Sequence, residues 1–284
     1  MCRLFGFRSI LHSPLHHSLL SADNALGTQS QHHPDGWGLS YYIAGTPHVI
    51  KSTKSAFEDS LFKRVSGVVT SDTVLAHVRA ATHGEVSILN AHPFQFGHWT
   101  FAHNGNIKDF DKHRAKLIQL IPEDFRKFLL GSTDSEILFF IFLGNLNKLT
   151  CIEARKCEID HIISSVKQTV KAIVEIVGPY QEVDNAKNCE HFLTFILTNG
   201  KVMLAHQGGK KMYFTTHKKV CPEDSQCSYY NDSCIKEINS GTVNHLILAS
   251  EPTNTENVWR QMHPGDIVAV DTDMGLHLDH YQAF

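Results

Sequence analysis

The sequence predicts an α+β fold in which β-sheets pack on one another beneath covering helices. Two observations carry this expectation: the order of strand-like and helix-like segments, and the change of apolar period between them. Segments 2–8, 36–43, 74–79 and 99–103 are short, rich in Val, Phe, Tyr and Trp, and bounded by Gly, Pro, Asn or Asp, as strands are. The period then lengthens. Leu117, Ile118 and Ile121 recur at helical spacing within 109–121, as do Ile137, Phe140 and Ile141 within 133–146. Ile159–Val177 carries a single stripe of Ile159, Ile162, Ile163, Val166, Val170, Ile173, Val174 and Val177 with polar residues opposite. Beyond Pro179 the strand pattern returns at 191–198, 201–206, His245–Ala249, Asp266–Val270 and 276–280, and Asn199-Gly200 is expected to turn tightly between the first two. An alternating parallel sheet would need a helix between most consecutive strands, which this order lacks. Stretches 181–189 and 221–241 read as surface loops, and with no internal repeat a single domain over 1–284 is expected.

Composition narrows the function. Forty-two percent apolar and 19% charged residues are ordinary for a chain that folds alone, and a net charge of −3 without a basic run argues against a nucleic-acid partner. Met-Cys-Arg-Leu-Phe-Gly-Phe-Arg at the start has neither the apolar stretch nor the cleavage site of a secretory signal. The longest apolar run, 137–143, is far shorter than the roughly 20 residues a bilayer span requires, so no membrane association is expected. Seven cysteines without an export signal point to reduced thiols and a cytoplasmic setting.

Cys2 is the first residue with chemical promise. Trimming of Met1 would leave a thiol and a primary amine on one residue. An α-amine titrates at about 7.7–8.0 and a thiol near about 8.5, so the amine can take the thiol proton directly or through one water. This is the N-terminal variant of a nucleophile–base pair, and it fails while Met1 turns the amine into an amide. The bland alternative is that Cys2 is only the small apolar start of a buried strand.

The company Cys2 keeps favours the first reading. In order, the chain carries Asp35-Gly36-Trp37-Gly38, His77-Val78-Arg79-Ala80-Ala81-Thr82-His83-Gly84, Asn90-Ala91-His92-Pro93-Phe94, His103-Asn104-Gly105 and Ser132-Thr133-Asp134-Ser135-Glu136. With Met1-Cys2-Arg3, these resemble the class II glutamine amidotransferases among the N-terminal nucleophile hydrolases, particularly compact bacterial forms without a fused synthase domain. Ala249-Ser250-Glu251-Pro252, Trp259 and Pro264-Gly265-Asp266 resemble the closing segment of the same domain, so the likeness spans nearly the whole chain. It implies a four-layer αββα sandwich with mainly antiparallel sheets and Cys2 at the start of a central strand. It also implies cleavage of the γ-amide of glutamine through a γ-glutamyl thioester, without a cofactor.

Glutamine presents a carboxylate, an ammonium and an amide, so a selective site needs a cation, an anion and an oxyanion hole. Arg79 resembles the family arginine that grips the carboxylate, for which the planar guanidinium fork is suited; the alternative is a surface ion pair. Asp134 resembles the residue that holds the ammonium, yet Thr133-x-x-Glu136 also has the form of a capping box with Asp134 in the first helical turn. These two readings are compatible. Thr82 and His83 match positions lining the same pocket, His83 being otherwise a mere hydrogen-bonded neighbour. The Asn104 amide and the Gly105 N–H can converge on one oxygen, the glycine permitting close approach, often with positive φ; otherwise the pair is a plain turn. Asp35-Gly36-Trp37-Gly38 reads as structural, its glycines packing under the nucleophile strand.

Other signals are weaker. Twenty histidines include the pairs His16-His17 and His32-His33, but no helical ligand spacing appears, and no metal is expected. Cys221, Cys227 and Cys234 leave a loop chelate open. Gly208-Gly209-Lys210 lacks the frame of a phosphate loop. Ala80 stands where sugar-phosphate amidotransferases carry a tryptophan, which leaves three readings: a glutaminase subunit feeding a separate synthase, a hydrolase of γ-glutamyl peptides or conjugates, or a non-catalytic glutamine-binding module.

Overall fold

The computed structural model describes residues 2–14, 17–81, 84–180, 191–221, 225 and 227–281. The chain opens with β1 (Arg3–Pro14), the single turn α1 (Leu26–Gln29), β2 (Trp37–Ile43), β3 (Thr46–Ser52), α2 (Ser60–Val68) and β4 (Thr70–Val78). β5 (Phe94–Phe96) and β6 (Trp99–Asn106) lead into helices α3 (Phe110–Gln119), α4 (Glu123–Arg126), α5 (Asp134–Leu149) and α6 (Ile159–Val177). Strands follow again: β7 (Phe192–Thr198), β8 (Met203–His206), β9 (Tyr213–Thr215), β10 (Gly241–Thr242), β11 (His245–Ala249), β12 (Arg260–Gln261), β13 (Asp266–Val270) and β14 (Gly275–His280).

These strands form two seven-stranded sheets, in the orders β12-β9-β11-β1-β4-β2-β3 and β10-β14-β13-β8-β7-β6-β5. Every pairing within them is antiparallel. Alternation of side chains along each strand builds the layers. Leu4 and Leu75 face inward to meet Ala102, Ile196 and Met203 of the second sheet. Their neighbours Phe5, Val74 and Ala76 face outward against Leu26 of α1 and Phe62 of α2. On the far side, Phe139 and Phe142 of α5 and Ile162 and Val166 of α6 cover Phe101, Phe195 and Leu204. The result is the αββα sandwich, with β1 in the middle of its sheet.

Helix α5 fixes one end of the site. It is buried on all sides from Asp134 to Leu146, and Thr133 caps it by accepting the Glu136 N–H at 3.3 Å. The reciprocal half of the capping box does not form. Glu136 instead accepts the N–H groups of Leu130 and Gly131 at 3.0 and 2.8 Å, tying the preceding loop to the helix start.

Other expectations shift in detail. Strand β1 continues past residue 8 to Pro14 through an irregularity between Arg8 and Ser13. The turn after β7 spans 199–202, because Thr198 pairs with Met203 and the Asn199 side chain accepts the N–H groups of Lys201 and Val202, both at 3.0 Å. Strand β3 escapes sequence detection because it is a half-exposed edge strand containing Pro47. The described part of 221–241 is irregular apart from one turn of 3-10 helix, Asp232–Cys234, and the short edge strand β10 begins at Gly241. The loop expected at 181–189 lies outside the described residues. Among the described residues no helix is long and apolar enough to cross a membrane.

Candidate active site

The register of the first sheet sets the position of Cys2. Arg3 pairs with Val78, so Cys2, one residue earlier, lies beside the residues that follow β4. Its sulfur is held by the main chain of Ala80: the N–H donates to Sγ at 3.3 Å, and the thiol donates to the carbonyl at 3.4 Å. Burial pushes the thiol above its ordinary value, opposed by the Ala80 N–H and the charge of Arg79.

Arg79 is 3% exposed. Its main chain is clasped by the turn before β2: Arg79 N–H donates to Gly36 O at 2.8 Å, and Asp35 N–H donates to Arg79 O at 3.1 Å. The Asp35 carboxylate also accepts the Ala81 N–H at 2.8 Å. Burial lowers the guanidinium pKa, while Cys2 and Asp35 favour its charge. Nη1 donates to Glu85 O at 3.1 Å, a carbonyl that also accepts from the Asn90 amide at 3.0 Å. The motif at 35–38 thus works differently from the sequence expectation. Strand β4 separates β2 from β1, and Gly38 makes room for the His92 carbonyl, which an added Cβ would meet at 1.9 Å.

The second sheet supplies the facing groups. Asn104 is buried within β6 rather than in a turn, and its amide donates to Ser250 Oγ at 3.5 Å. The same hydroxyl accepts the Leu4 N–H at 2.9 Å, and Ser250 N–H donates to Leu4 O at 3.1 Å. One serine so joins Asn104 to the start of β1. Gly105 pairs with Leu193 and has no positive φ. A glycine is needed there for another reason: a Cβ would lie 1.9 Å from His103 Nε2 and 2.1 Å from Phe192 O.

Asp134, also 3% exposed, is the first residue of α5. Its carboxylate accepts the Ile107 N–H at 2.8 Å and the Ser135 hydroxyl at 3.2 Å. Ser135 Oγ in turn lies 2.9 Å from His103 Nδ1, and Phe192 O accepts from His103 Nε2–H at 2.9 Å. Burial lowers the His103 pKa, with Asp134 opposing. The Asp134 charge reaches the Cys2 thiol and raises its pKa, so sulfur, guanidinium and carboxylate share one electrostatic neighbourhood. Thr82 and His83 lie outside the described residues. His77 and His92 sit beside the site with ring centroids 4.3 Å apart and all four ring nitrogens unpartnered. Among the described residues no group of three or more His, Cys, Asp or Glu side chains could hold a metal, and Cys234 Sγ accepts from Asn244 at 2.9 Å.

The profile of glutamine amidotransferases class-II matches residues 1–276. The chain belongs to this family. Within the class II glutamine amidotransferases it is similar to the probable glutamine amidotransferase DUG3 of Saccharomyces cerevisiae, with 30% identity over 179 residues, 60% of this chain and 50% of that protein. It is also similar to a gamma-glutamyl-hercynylcysteine sulfoxide hydrolase of Mycobacterium tuberculosis, 36% identical over 74 residues, 26% of this chain and 32% of that one. The chain spans about half the length of the first curated relatives it matches. The solved class-II domain protein of Silicibacter pomeroyi shares the fold, with a TM-score of 0.63 at 17% identity, over 100% of both chains. The αββα sandwich is thereby shared between this chain and a solved class-II domain.

Sequence reading missed Ser250 as a bridge, the Asp35 carboxylate and the Ala80 main chain. The position of Ser250 directly after the strand His245–Ala249 was the available signal; the other two depend on main-chain proximity that leaves no sequence mark.

Proposed function

We propose that this chain hydrolyses the γ-amide of glutamine or of a γ-glutamyl amide, using Cys2 as nucleophile once loss of Met1 exposes its α-amine. The observation that carries the reading is the Cys2 sulfur cradled by Ala80 within reach of the charges of Arg79 and Asp134. Arg79 takes the substrate carboxylate and Asp134 the ammonium, with Thr82 and His83 completing the pocket. The amine removes the thiol proton as sulfur bonds to the γ-carbon. The oxyanion rests on the Asn104 amide and the Gly105 N–H. Asn104 suits this role because its amide has two N–H bonds, one engaged by Ser250 and the other left for the oxyanion. The α-ammonium then protonates the leaving nitrogen, the C–N bond breaks and a γ-glutamyl thioester remains. Water, deprotonated by the same amine, releases glutamate and restores the thiol. Residues 1–284 act in this scheme as one type-2 glutamine amidotransferase domain in a cytoplasmic, reducing setting.

A second reading has its own support. Ala80, whose main chain meets Sγ, is half-buried and carries only a methyl group where sugar-phosphate amidotransferases carry a tryptophan. The name of the mycobacterial relative points to γ-glutamyl conjugates as well. Ammonia release from free glutamine, compared with cleavage of γ-glutamyl dipeptides, decides between a glutaminase that feeds a synthase and an independent hydrolase. Cys2→Ala is expected to abolish either activity, by at least about a thousandfold. Unchanged turnover in that variant, or a purified protein that keeps Met1, would instead support a glutamine-binding module.

A further inference from the structure

A cavity of about 360 Å³ opens beside the start of α5, outside the residues assigned to catalysis. Its walls include Leu89, Phe94, Phe128 and Phe140, and among the described residues its charged lining consists of Lys51 and Glu136. Apolar surface is left wet around it, Leu89 being 52% and Phe128 40% exposed, which favours an apolar occupant. The size falls at the lower end of small-molecule pockets.

The two charges specify more. Burial pulls the Lys51 ammonium down to about 8 against the attraction of Glu136, and the same burial pushes the Glu136 carboxyl up against two main-chain N–H groups. No ion pair closes between them; the Lys51 ammonium instead lies 5.3 Å from the centre of the Phe94 ring. Each Glu136 oxygen accepts one N–H and keeps a further lone pair. An occupant with a carboxylate and an ammonium on one carbon and an apolar body would satisfy both groups and fill the walls. That is the chemistry of an apolar α-amino acid.

The cavity is wired to the site. Glu136 holds the N–H groups of Leu130 and Gly131; the next residue, Ser132, donates its N–H to Asn90 at 2.9 Å; Asn90 donates to Glu85 O, the carbonyl that receives Arg79. Asp134 shares the first turn of α5 with Glu136.

We propose that this cavity binds a free apolar α-amino acid, its carboxylate on Lys51, its ammonium on Glu136 and its side chain among Phe94, Phe128 and Phe140, and that occupancy changes the affinity for glutamine. The binding half stands on the cavity alone; the coupling half rests on the glutamine reading above. Calorimetric titration of the full-length protein with L-phenylalanine tests the first half. Saturable binding is expected, at least about tenfold weaker for N-acetylphenylalanine, for phenylalaninamide and in Lys51→Met, and largely kept in Lys51→Arg. Because the glutamine pocket also offers a cation and an anion, the titration is repeated in Arg79→Lys. Binding that persists there and fails in Lys51→Met places the ligand in the cavity; the reverse pattern, or no binding, overturns the proposal. For the second half, saturating phenylalanine should shift the KM for glutamine at least about twofold in the wild type and not in Lys51→Met. An unmoved KM overturns the coupling. Binding with no glutamine turnover at all would instead count against the glutamine reading and leave the cavity assignment intact.

Discussion

The two halves of the site are held in different ways. On the first sheet, the sulfur of Cys2 and the main chain of Arg79 are fixed by backbone groups: strand register, the Ala80 amide and carbonyl, and the Asp35–Gly36 turn. On the second sheet and the helix covering it, side chains take a larger part: Asn104 is held by the Ser250 hydroxyl, and Asp134 at the start of α5 by the Ser135 hydroxyl together with the Ile107 N–H. A backbone frame survives a change of side chain, whereas a side-chain network does not. The first half can therefore vary its chemistry without moving; the second trades precision for interdependence.

This contrast gives the two halves different kinetic signatures. Asn104→Ala should lower kcat by about a hundredfold to a thousandfold with little change in KM, as expected for a donor used only when the oxyanion forms. A steady-state ammonia assay measures both constants, and a rise confined to KM would refute the assignment. Arg79→Lys should do the opposite, raising KM by roughly tenfold to a hundredfold through loss of the paired hydrogen bonds while kcat stays within a few-fold. A drop in kcat alone would erase the proposed division between the halves.

Acid provides a probe of the sheets themselves. His77 of the first sheet and His206 of the second are both fully buried and held at about 3, chiefly by burial. Their neutral forms stabilise the fold fully above the ordinary histidine value near 6.5, and that stability is lost as pH falls from there toward 3. Each contributes a slope of about 1.4 kcal/mol per pH unit in that window. Urea midpoints at pH 7.5, 6 and 5 should decline accordingly. The slope should ease in His77→Asn if that residue folds neutral, and an unaltered slope would show that it does not. The smallest effect is expected at Thr133→Ala, where loss of the α5 cap costs about 1 kcal/mol. Because Asp134 follows directly, a modest rise in KM should accompany the lower melting temperature.

Much of this was legible in the sequence, for reasons that can be located. Helix α6 falls on its expected bounds because a single apolar stripe faces the sheet with polar residues opposite. Val, Phe, Tyr and Trp between turn-forming residues placed β1, β2, β4 and β6, which the structure pairs into the two sheets. The edge strands β3, β5 and β12 left little pattern, since pairing with a neighbour rather than burial defines them. Of the residues assigned to the site, Cys2 meets the main chain of the residue after Arg79, and Asn104 is joined through Ser250 to Leu4 on the strand that begins beside Cys2. Gly105 shows the limit: sequence suggests backbone freedom, while the structure shows a glycine demanded by the close carbonyl of Phe192. Ser250 shows another, since a hydrogen bond between residues 146 positions apart has no local signature.

The ladder between β1 and β4 runs unbroken from Arg3↔Val78 to Arg8↔Thr73, and resumes only at Ser13↔Ser71 after its register shifts. A residue gained or lost before Arg8 would carry the sulfur about 3.4 Å along the strand and turn it to the opposite face. Beyond Arg8 the irregular stretch absorbs such a change. Length variation among natural homologues should accordingly begin only there, making the opening eight residues a fixed ruler measured from Cys2.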